Sequence, residues 1–485
     1  MPHSLVLSHP FRGRKEWELR KSSHDRLCSN FAGCTMTFVR SMGRWTMTAL
    51  VINCIIGGGI FGLPGELTRL LGRASPFAMI FAALGMALIL ACFAEVASQF
   101  SEPGGAYLYV RTAFGGFAGM QIGWFDLLNV IGTVAALANL FVDYLAPFLP
   151  GTLNIWNRAL VMAILIAVPA AANYRGVRSG ANLSSLMTLA KLLPLALLVL
   201  VGATHFARQP QLIQVSEITS PGLSNWVRAL AFLLWAFGGW EDSVLPTGEV
   251  REPRRTIPFS LGMGLLGCAV IYTLLQFIVV GTIGTRTTDA PLTVTASVLL
   301  GRSGAAFVAI AALVSIYGWI SAAMLYGPRL TYSLAAQGEF PALFARLHPR
   351  FHTPAAAILL YALTAWVLAA SGTFLWLVAV TAGSMMVLYA AVCASLIRLR
   401  KLRPNVDAFR IPFGSVLSII GIAIAVGLMT GLKRSQLLMM CVTAAIAAAN
   451  WLWAKRRRLG LEAKASAATA PLSLSQSSLR IRGAG

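Results

Sequence analysis

The sequence is short of charge and shorter still of acid. Only 12% of its 485 residues are charged, and 17 Asp and Glu stand against 39 Lys and Arg. A soluble domain keeps roughly a quarter of its residues charged, so a water-exposed globular surface is excluded. Lysine is nearly absent from the middle of the chain, where Lys191 is the only one between Lys21 and Lys401. Histidine is sparse: His3, His9, His24 and His205 are isolated, and His348 and His352 share a Pro-containing loop. That distribution supports neither a metal site nor a histidine proton relay. Seven cysteines occur without a single CxxC, and Cys54, Cys92, Cys268, Cys393 and Cys441 fall inside apolar runs. No disulfide framework and no metal are expected. The apolar runs hold no GxSxG, HExxH or His/Asp cluster, so the expectation is a protein that is not an enzyme and carries no cofactor.

What the chain has in excess is apolar sequence, 57% of residues with a mean hydropathy of +0.72. About 20 apolar residues cross a bilayer core of roughly 30 Å as helix. Twelve such runs can be drawn: Thr46 to Leu71, Pro76 to Phe100, Phe117 to Leu145, Ile155 to Ala172, Leu183 to Thr204, Trp226 to Val250, Pro258 to Ile283, Ala305 to Leu334, Ala355 to Ser371, Phe374 to Ile397, Val416 to Gly431 and Leu437 to Trp453. The two-residue alternation of barrel strands is missing from them. The fold class expected is therefore all-α integral membrane, with twelve transmembrane helices.

The net charge of +22 lies in tails and short loops rather than on one amphipathic face, which argues against nucleic acid as a partner. With a cytoplasmic N-terminus, 29 of the 39 Lys and Arg fall on the inner side, 9 on the outer, and Lys191 between. This asymmetry predicts a multi-pass protein of the cell (inner) membrane with both termini cytoplasmic. No cleavable signal is evident, so the first run is expected to remain as a span. Residues 1–45 and 455–485 read as polar cytoplasmic tails around a membrane-spanning domain at 46–454, and Met36 and Met42 stand as alternative translation starts.

Two runs are interrupted. The first contains Gly57-Gly58-Gly59-Ile60-Phe61-Gly62-Leu63-Pro64, and the sixth contains Trp235-Ala236-Phe237-Gly238-Gly239-Trp240-Glu241-Asp242 with Pro246 beyond. Adjacent glycines weaken helix, and unwound backbone at membrane depth persists only where it is buried or lines a cavity. Breaks in corresponding spans 1 and 6 are the pattern of a five-plus-five inverted repeat. Span 1 would begin its outer half near Gly58 and Gly59 with free N–H groups, suited to a carboxylate. Span 6 would end its outer half near Trp235 to Gly238 with free carbonyls, suited to an ammonium. Together they describe a zwitterion site, an amino acid or related amine being the expected small-molecule partner. Gly115, Gly119 and Gly123, spaced by four, read instead as helix packing.

At these residues the chain resembles the amino acid/polyamine/organocation superfamily of permeases, over about Thr46 to Trp453. Span 1 is similar to that family's G-x-G-I-F…P break. Glu95-Val96-Ala97 with Pro103-Gly104-Gly105-Ala106-Tyr107, Gly248-Glu249 with Pro253-Arg254-Arg255-Thr256-Ile257-Pro258, and Gly338-Glu339-Phe340-Pro341 with Thr353-Pro354 resemble its other signatures. The resemblance implies a LeuT-type fold and alternating access around spans 1, 3, 6, 8 and 10. It implies carboxylate binding at Gly58 and Gly59, beside Gly57, and amine binding at the carbonyls of Ile55, Trp235 and Gly238, with Phe237 and Gly239 in the same break. Many members place Ser or Ala among the span 1 glycines; here a hydroxyl is missing and the backbone alone is left for the carboxylate.

Seven acids lie within the runs: Glu66, Glu95, Asp126, Asp143, Glu241, Asp242 and Glu249. A charge at mid-bilayer needs a partner or a task. Glu95, Asp143 and Glu249 sit near span ends, where loop pairing suffices, and Glu66 and Asp126 carry no assignment. Glu241 and Asp242 adjoin the second break, and Glu241, at the family's G-x-E position, is the candidate for gating or proton binding. Lys191 is a candidate for proton coupling, since a buried lysine can release a proton and an arginine cannot; Ala190-Lys191-Leu192-Leu193-Pro194 is similar to the span 5 segment of proton-coupled relatives. The bland alternative is a static charge held by a carbonyl or carboxylate. Trp124, Tyr317, Trp319 and Trp376 read as interface anchors or packing residues.

Overall fold

The computed structural model describes residues 43–100, 105–149, 154–175, 181–208, 221–243, 250–284, 288, 290–336, 338–404 and 408–469. Most of the N-terminal tail, the far C-terminal tail, Pro103-Gly104, Pro246 and Gly248-Glu249 lie outside the described residues, as do the side chains of 181–190.

Among the described residues the chain is helical. The elements are α1 (Arg44–Ile55), α2 (Gly59–Gly62), α3 (Pro64–Leu71), α4 (Ser75–Ala97), α5 (Gly105–Phe114), α6 (Gly116–Leu145), α7 (Ile155–Tyr174), α8 (Ala181–Arg208), α9 (Leu223–Ala236), α10 (Trp240–Ser243), α11 (Pro253–Ile283), α12 (Pro291–Ala336), α13 (Ala355–Ser371), α14 (Phe374–Leu402), α15 (Gly414–Met429) and α16 (Arg434–Thr469). Nine described helical stretches are long and apolar enough to cross a membrane, and α13 and α15 are shorter apolar helices.

Side-chain placement fits a lipid solvent. Phe77, Phe81 and Leu84 on α4 and Leu359, Leu363 and Val367 on α13 are exposed large hydrophobics at helical spacing, stripes that water would not tolerate in such number. The centre is occupied by α6 and α14, which pack extensively on each other, with α12 and α13 also against α6 and α1 held between α8 and α11. Small residues permit the close approaches: a Cβ on Gly132 of α6 would sit 2.4 Å from Thr381 of α14. Gly119 and Gly123 face Arg111 and Tyr107 of α5 in the same way, whereas Gly115, third in that series, is the turn before α6 with φ 93°.

Both glycine clusters interrupt helix. α1 ends at Ile55 and α2 starts at Gly59; α9 ends at Ala236 and α10 starts at Trp240, after Gly239 at φ 91°. Sequence and structure differ at α12, which begins at Pro291 and kinks at Gly301 (φ 71°), so the run drawn from Ala305 is only its later part. They differ again at α16, which continues past 455 to Thr469, because the Lys, Arg, Leu, Glu and Ala of that stretch are strong helix formers.

Of the acids read near span ends, Glu95 and Asp143 are paired and Glu249 lies outside the described residues; the unassigned Glu66 is paired as well. Glu95, 1% exposed, accepts two hydrogen bonds of 2.7 Å from the Arg400 guanidinium and one of 2.8 Å from the Ile411 N–H. Glu66 accepts two bonds of 2.6 Å from Arg69, and Asp143 one of 2.8 Å from Arg158. Glu339, at the end of α12, accepts from Tyr107, Arg111 and Arg458, joining α5 to α16.

Candidate substrate site

The two breaks meet. A Cβ on Gly59 would lie 2.9 Å from the Ala236 Cα, and one on Gly239 would lie 2.6 Å from the Cys54 carbonyl oxygen. Glycine is required here by proximity as well as by dihedral freedom.

At the first break the carbonyls and the N–H groups fare differently. The Ile55 carbonyl accepts from the Gly57 N–H (2.9 Å) and the Tyr272 hydroxyl (3.2 Å). The Ile56 carbonyl accepts from Lys191 Nζ (3.1 Å), which also reaches the Asn53 carbonyl (3.4 Å). The Gly57 carbonyl accepts from Ser315 Oγ (3.2 Å). Side chains of α11, α8 and α12 thus satisfy the carbonyls that a helix end leaves open. The N–H groups of Gly58, Gly59 and Ile60 donate to no carbonyl among the described residues, the next bonds running from Phe61 and Gly62 to the Gly58 carbonyl.

The second break is the complement. The Trp235 carbonyl accepts from the Gly238 N–H (3.1 Å), and the Gly239 carbonyl from the Asp242 N–H (3.2 Å). The carbonyls of Ala236, Phe237 and Gly238 take no backbone donor among the described residues. Glu241 accepts from the Gly239 N–H (2.9 Å) and the Tyr389 hydroxyl (3.1 Å), which ties α10 to α14 and pins the turn. Trp240 stacks on Tyr389, ring centroids 5.6 Å apart.

Between the breaks lies a cavity of about 30 Å³, room for a water or two. Ile55, Gly57, Gly58, Gly59, Trp235, Gly238, Gly239 and Glu241, all expected from the sequence, border it. Two expected residues do not. The Phe237 ring is turned away against Tyr272 (5.2 Å), because a side chain at a helix end follows the last turn rather than the break. Lys191 lies behind the cavity, on the far side of the α1 carbonyls. Asn129, Thr133, Leu137, Trp319, Asp242 and Met385 also border the cavity. The sequence signal for the α6 pair was present: Asn129 and Thr133 are polar, four apart and on one face of an apolar helix. Trp124, read as packing, does pack, on Phe340 (5.3 Å), whereas Trp319, read the same way, borders the cavity.

Trp235 donates its indole N–H to Thr133 (3.1 Å) and sets its ring edge to face with Phe374 (6.0 Å). Beyond Phe374 and Leu140 opens a vestibule of about 1020 Å³, whose wall includes Arg69 and Arg158 with their carboxylate partners Glu66 and Asp143.

Residues 42–453 match the model of a family described as amino acid permease. Among characterised relatives, the methylthioribose transporter of Bacillus subtilis (strain 168) is 24% identical over 87% of this chain and 94% of its own length. The serine/threonine exchanger SteT of the same organism is 28% identical over 66% of this chain and 74% of its own. The arginine/agmatine antiporter of Chlamydia pneumoniae is 24% identical over 86% and 91%.

Proposed function

The chain belongs to the amino acid permease family, a family of transporters rather than enzymes, and from that membership we propose that it carries amino acids across the cytoplasmic membrane by alternating access, coupled to protons. One observation carries the reading: the N–H groups of Gly58 and Gly59 and the carbonyls of Ala236 and Gly238, without backbone partners among the described residues, belong to residues that border one cavity. The first set suits an α-carboxylate and the second an α-ammonium. Because the Ile55 and Trp235 carbonyls already accept donors, the ammonium falls to Gly238 and its neighbours.

The full reading has twelve spans in a five-plus-five repeat, a transporter domain at 46–454, and both termini cytoplasmic. It takes the nine long stretches, the two shorter helices α13 and α15, and the pair α9 and α10 as the broken sixth span. The tails at 1–45 and 455–485 then bear the positive charge that favours the inner face. An enzymatic reporter active only outside the cytoplasm, fused after Trp453, should be silent; an active fusion overturns the orientation.

In this reading the vestibule is the outer approach, and Phe374, Trp235 and Leu140 separate it from the substrate. Lys191 is the proton carrier and Glu241 the gate on the inner side. Support for Lys191 comes from its position: its two bonds hold the end of α1, the half-helix that inward opening would move.

The decisive measurement is uptake into proteoliposomes across a panel of radiolabelled amino acids, polyamines and methylthioribose, with and without an inward proton gradient. Concentrative, gradient-dependent uptake of an amino acid is expected. Exchange without net uptake would favour the second reading, an antiporter, which the names of two relatives suggest; transport of methylthioribose alone would overturn the amino acid assignment.

A further inference from the structure

The cavity has an unbalanced chemistry. Glu241 and Asp242 border it, and no Lys, Arg or His does. Neither carboxylate makes an ion pair among the described residues. Two acids without a cation, at the depth of a helix break, are an expensive arrangement. Glu241 is accounted for, since it accepts from Gly239 and Tyr389. Asp242 has no cation beside it among the described residues.

An independent feature lies on the opposite wall. Asn129 borders the same cavity, is only 7% exposed, and its Oδ1 has no hydrogen-bond partner among the described residues. A buried amide oxygen with nothing to accept is rare and calls for an unseen donor. The aromatic wall points the same way: Trp235 and Trp319 both border the cavity, Trp319 lying 3.2 Å from where a Gly57 Cβ would sit, and indole faces attract cations.

We propose that the transported amino acid bears a cationic side chain, an ammonium or guanidinium, which is held by Asp242 and Asn129 Oδ1 against the tryptophan wall. The assignment rests on the reading of the cavity as the substrate site and adds the substrate class to it. The α-carboxylate and α-ammonium engage the two backbone breaks, and the second positive charge supplies the counter-ion that Asp242 lacks. Room for it comes from Met385, whose terminal methyl is the nearest atom to Gly238, and from Leu137 over Gly58. Both side chains are flexible at their ends and can swing aside without backbone movement.

The test uses the full-length protein in nanodiscs and near-isosteric pairs that differ in charge: arginine against citrulline, and ornithine against norleucine, each read by direct binding. Arginine or ornithine should bind at least about tenfold tighter than its neutral partner, as expected when a desolvated charge pair is formed or lost. In Asp242→Asn the ratio should collapse towards unity, with folding checked separately by size-exclusion and thermal unfolding; should the variant not fold, the wild-type ratios decide the substrate class alone. Equal or tighter binding of the neutral partners to wild-type protein overturns the cationic assignment and leaves the amino acid site standing. Failure of all four ligands to bind overturns the cationic assignment, and the amino acid site falls with it only if the wider amino acid panel also fails to bind.

Discussion

Replacing Lys191 separates a proton carrier from a structural peg. The ammonium is 3% exposed and donates to the Ile56 carbonyl at 3.1 Å and to the Asn53 carbonyl at 3.4 Å. The second bond is long, so the shorter one carries most of the interaction. A hydrogen bond from a charged donor contributes about 1.5–3 kcal/mol, and an orphaned buried carbonyl costs about 1–3 kcal/mol. Lys191→Met keeps the stem's volume and removes the donor, so it should destabilise the α1 end by about 2–3 kcal/mol. That is enough to lower the unfolding temperature measurably and not enough to unfold a domain of this size. Lys191→Arg keeps a donor but must fit a larger, permanently charged fork into a buried site. Both variants should lose uphill uptake driven by a pH gradient in proteoliposomes, and Lys191→Met should retain counterflow exchange. If Lys191→Arg concentrates substrate at the wild-type rate, a fixed positive charge suffices, Lys191 is a cap on α1, and the coupling proton resides elsewhere.

Three further outcomes are expected. Gly59→Ala places a Cβ 2.9 Å from the Ala236 Cα, a backbone contact that cannot yield as a side chain could, so substrate binding should fall at least about tenfold, a loss of roughly 1.4 kcal/mol; unchanged affinity would remove the crossing from the site. Glu241→Gln retains an oxygen for Gly239 and Tyr389, so the protein should stay folded by size-exclusion and thermal criteria while its uptake loses the wild-type pH dependence; a superimposable pH profile would remove Glu241 from the mechanism. Arg400→Ala strands Glu95, whose buried carboxylate keeps only the Ile411 N–H and its surroundings, and should destabilise the fold by about 3–5 kcal/mol; a thermal midpoint within a degree or two of wild type would contradict it.

The breaks were legible because glycine acts through the backbone. Gly57 to Gly59 and Gly238-Gly239 mark where helix fails whatever the surroundings, and the observed ends at Ile55 and Ala236 fall where the glycines place them. Side-chain direction was not legible in the same way. Phe237 stands beside Gly238 in sequence, yet its ring packs on Tyr272, while Trp319 and Met385 reach the cavity from helices whose sequences give no sign of which face turns inward. Inside a membrane bundle both faces are apolar, so the hydrophobic contrast that orients a helix in a soluble protein is lost. Residues 291–304 read as a loop because Thr, Ser and Gly interrupt the apolar pattern, but only Gly301 departs from helical geometry. The charge pairs were legible as a need and not as a pairing: nothing in the sequence connects Glu95 to Arg400, 305 residues away.

The two sides of the cavity are closed by different chemistry. Towards the vestibule stand Trp235, Phe374 and Leu140, which make dispersion contacts and one aromatic edge. A rotamer change separates such groups at a cost of order 1 kcal/mol. Away from the vestibule the closure consists of bonds between the broken spans and their neighbours: Lys191 to the end of α1, Tyr389 to Glu241 on α10, and Trp240 against Tyr389 and Phe93. Opening that side means displacing half-helices and losing several hydrogen bonds at once. Two of those bonds involve a titratable donor or acceptor, Lys191 and Glu241, and each ties one half of a broken span to a neighbouring helix. In the proposed reading, a substrate that enters past the rings and draws the breaks together would bear on the same two side chains to which the coupling proton is assigned. Binding and protonation would then be linked through α1 and α10 without any contact between Lys191 and the substrate.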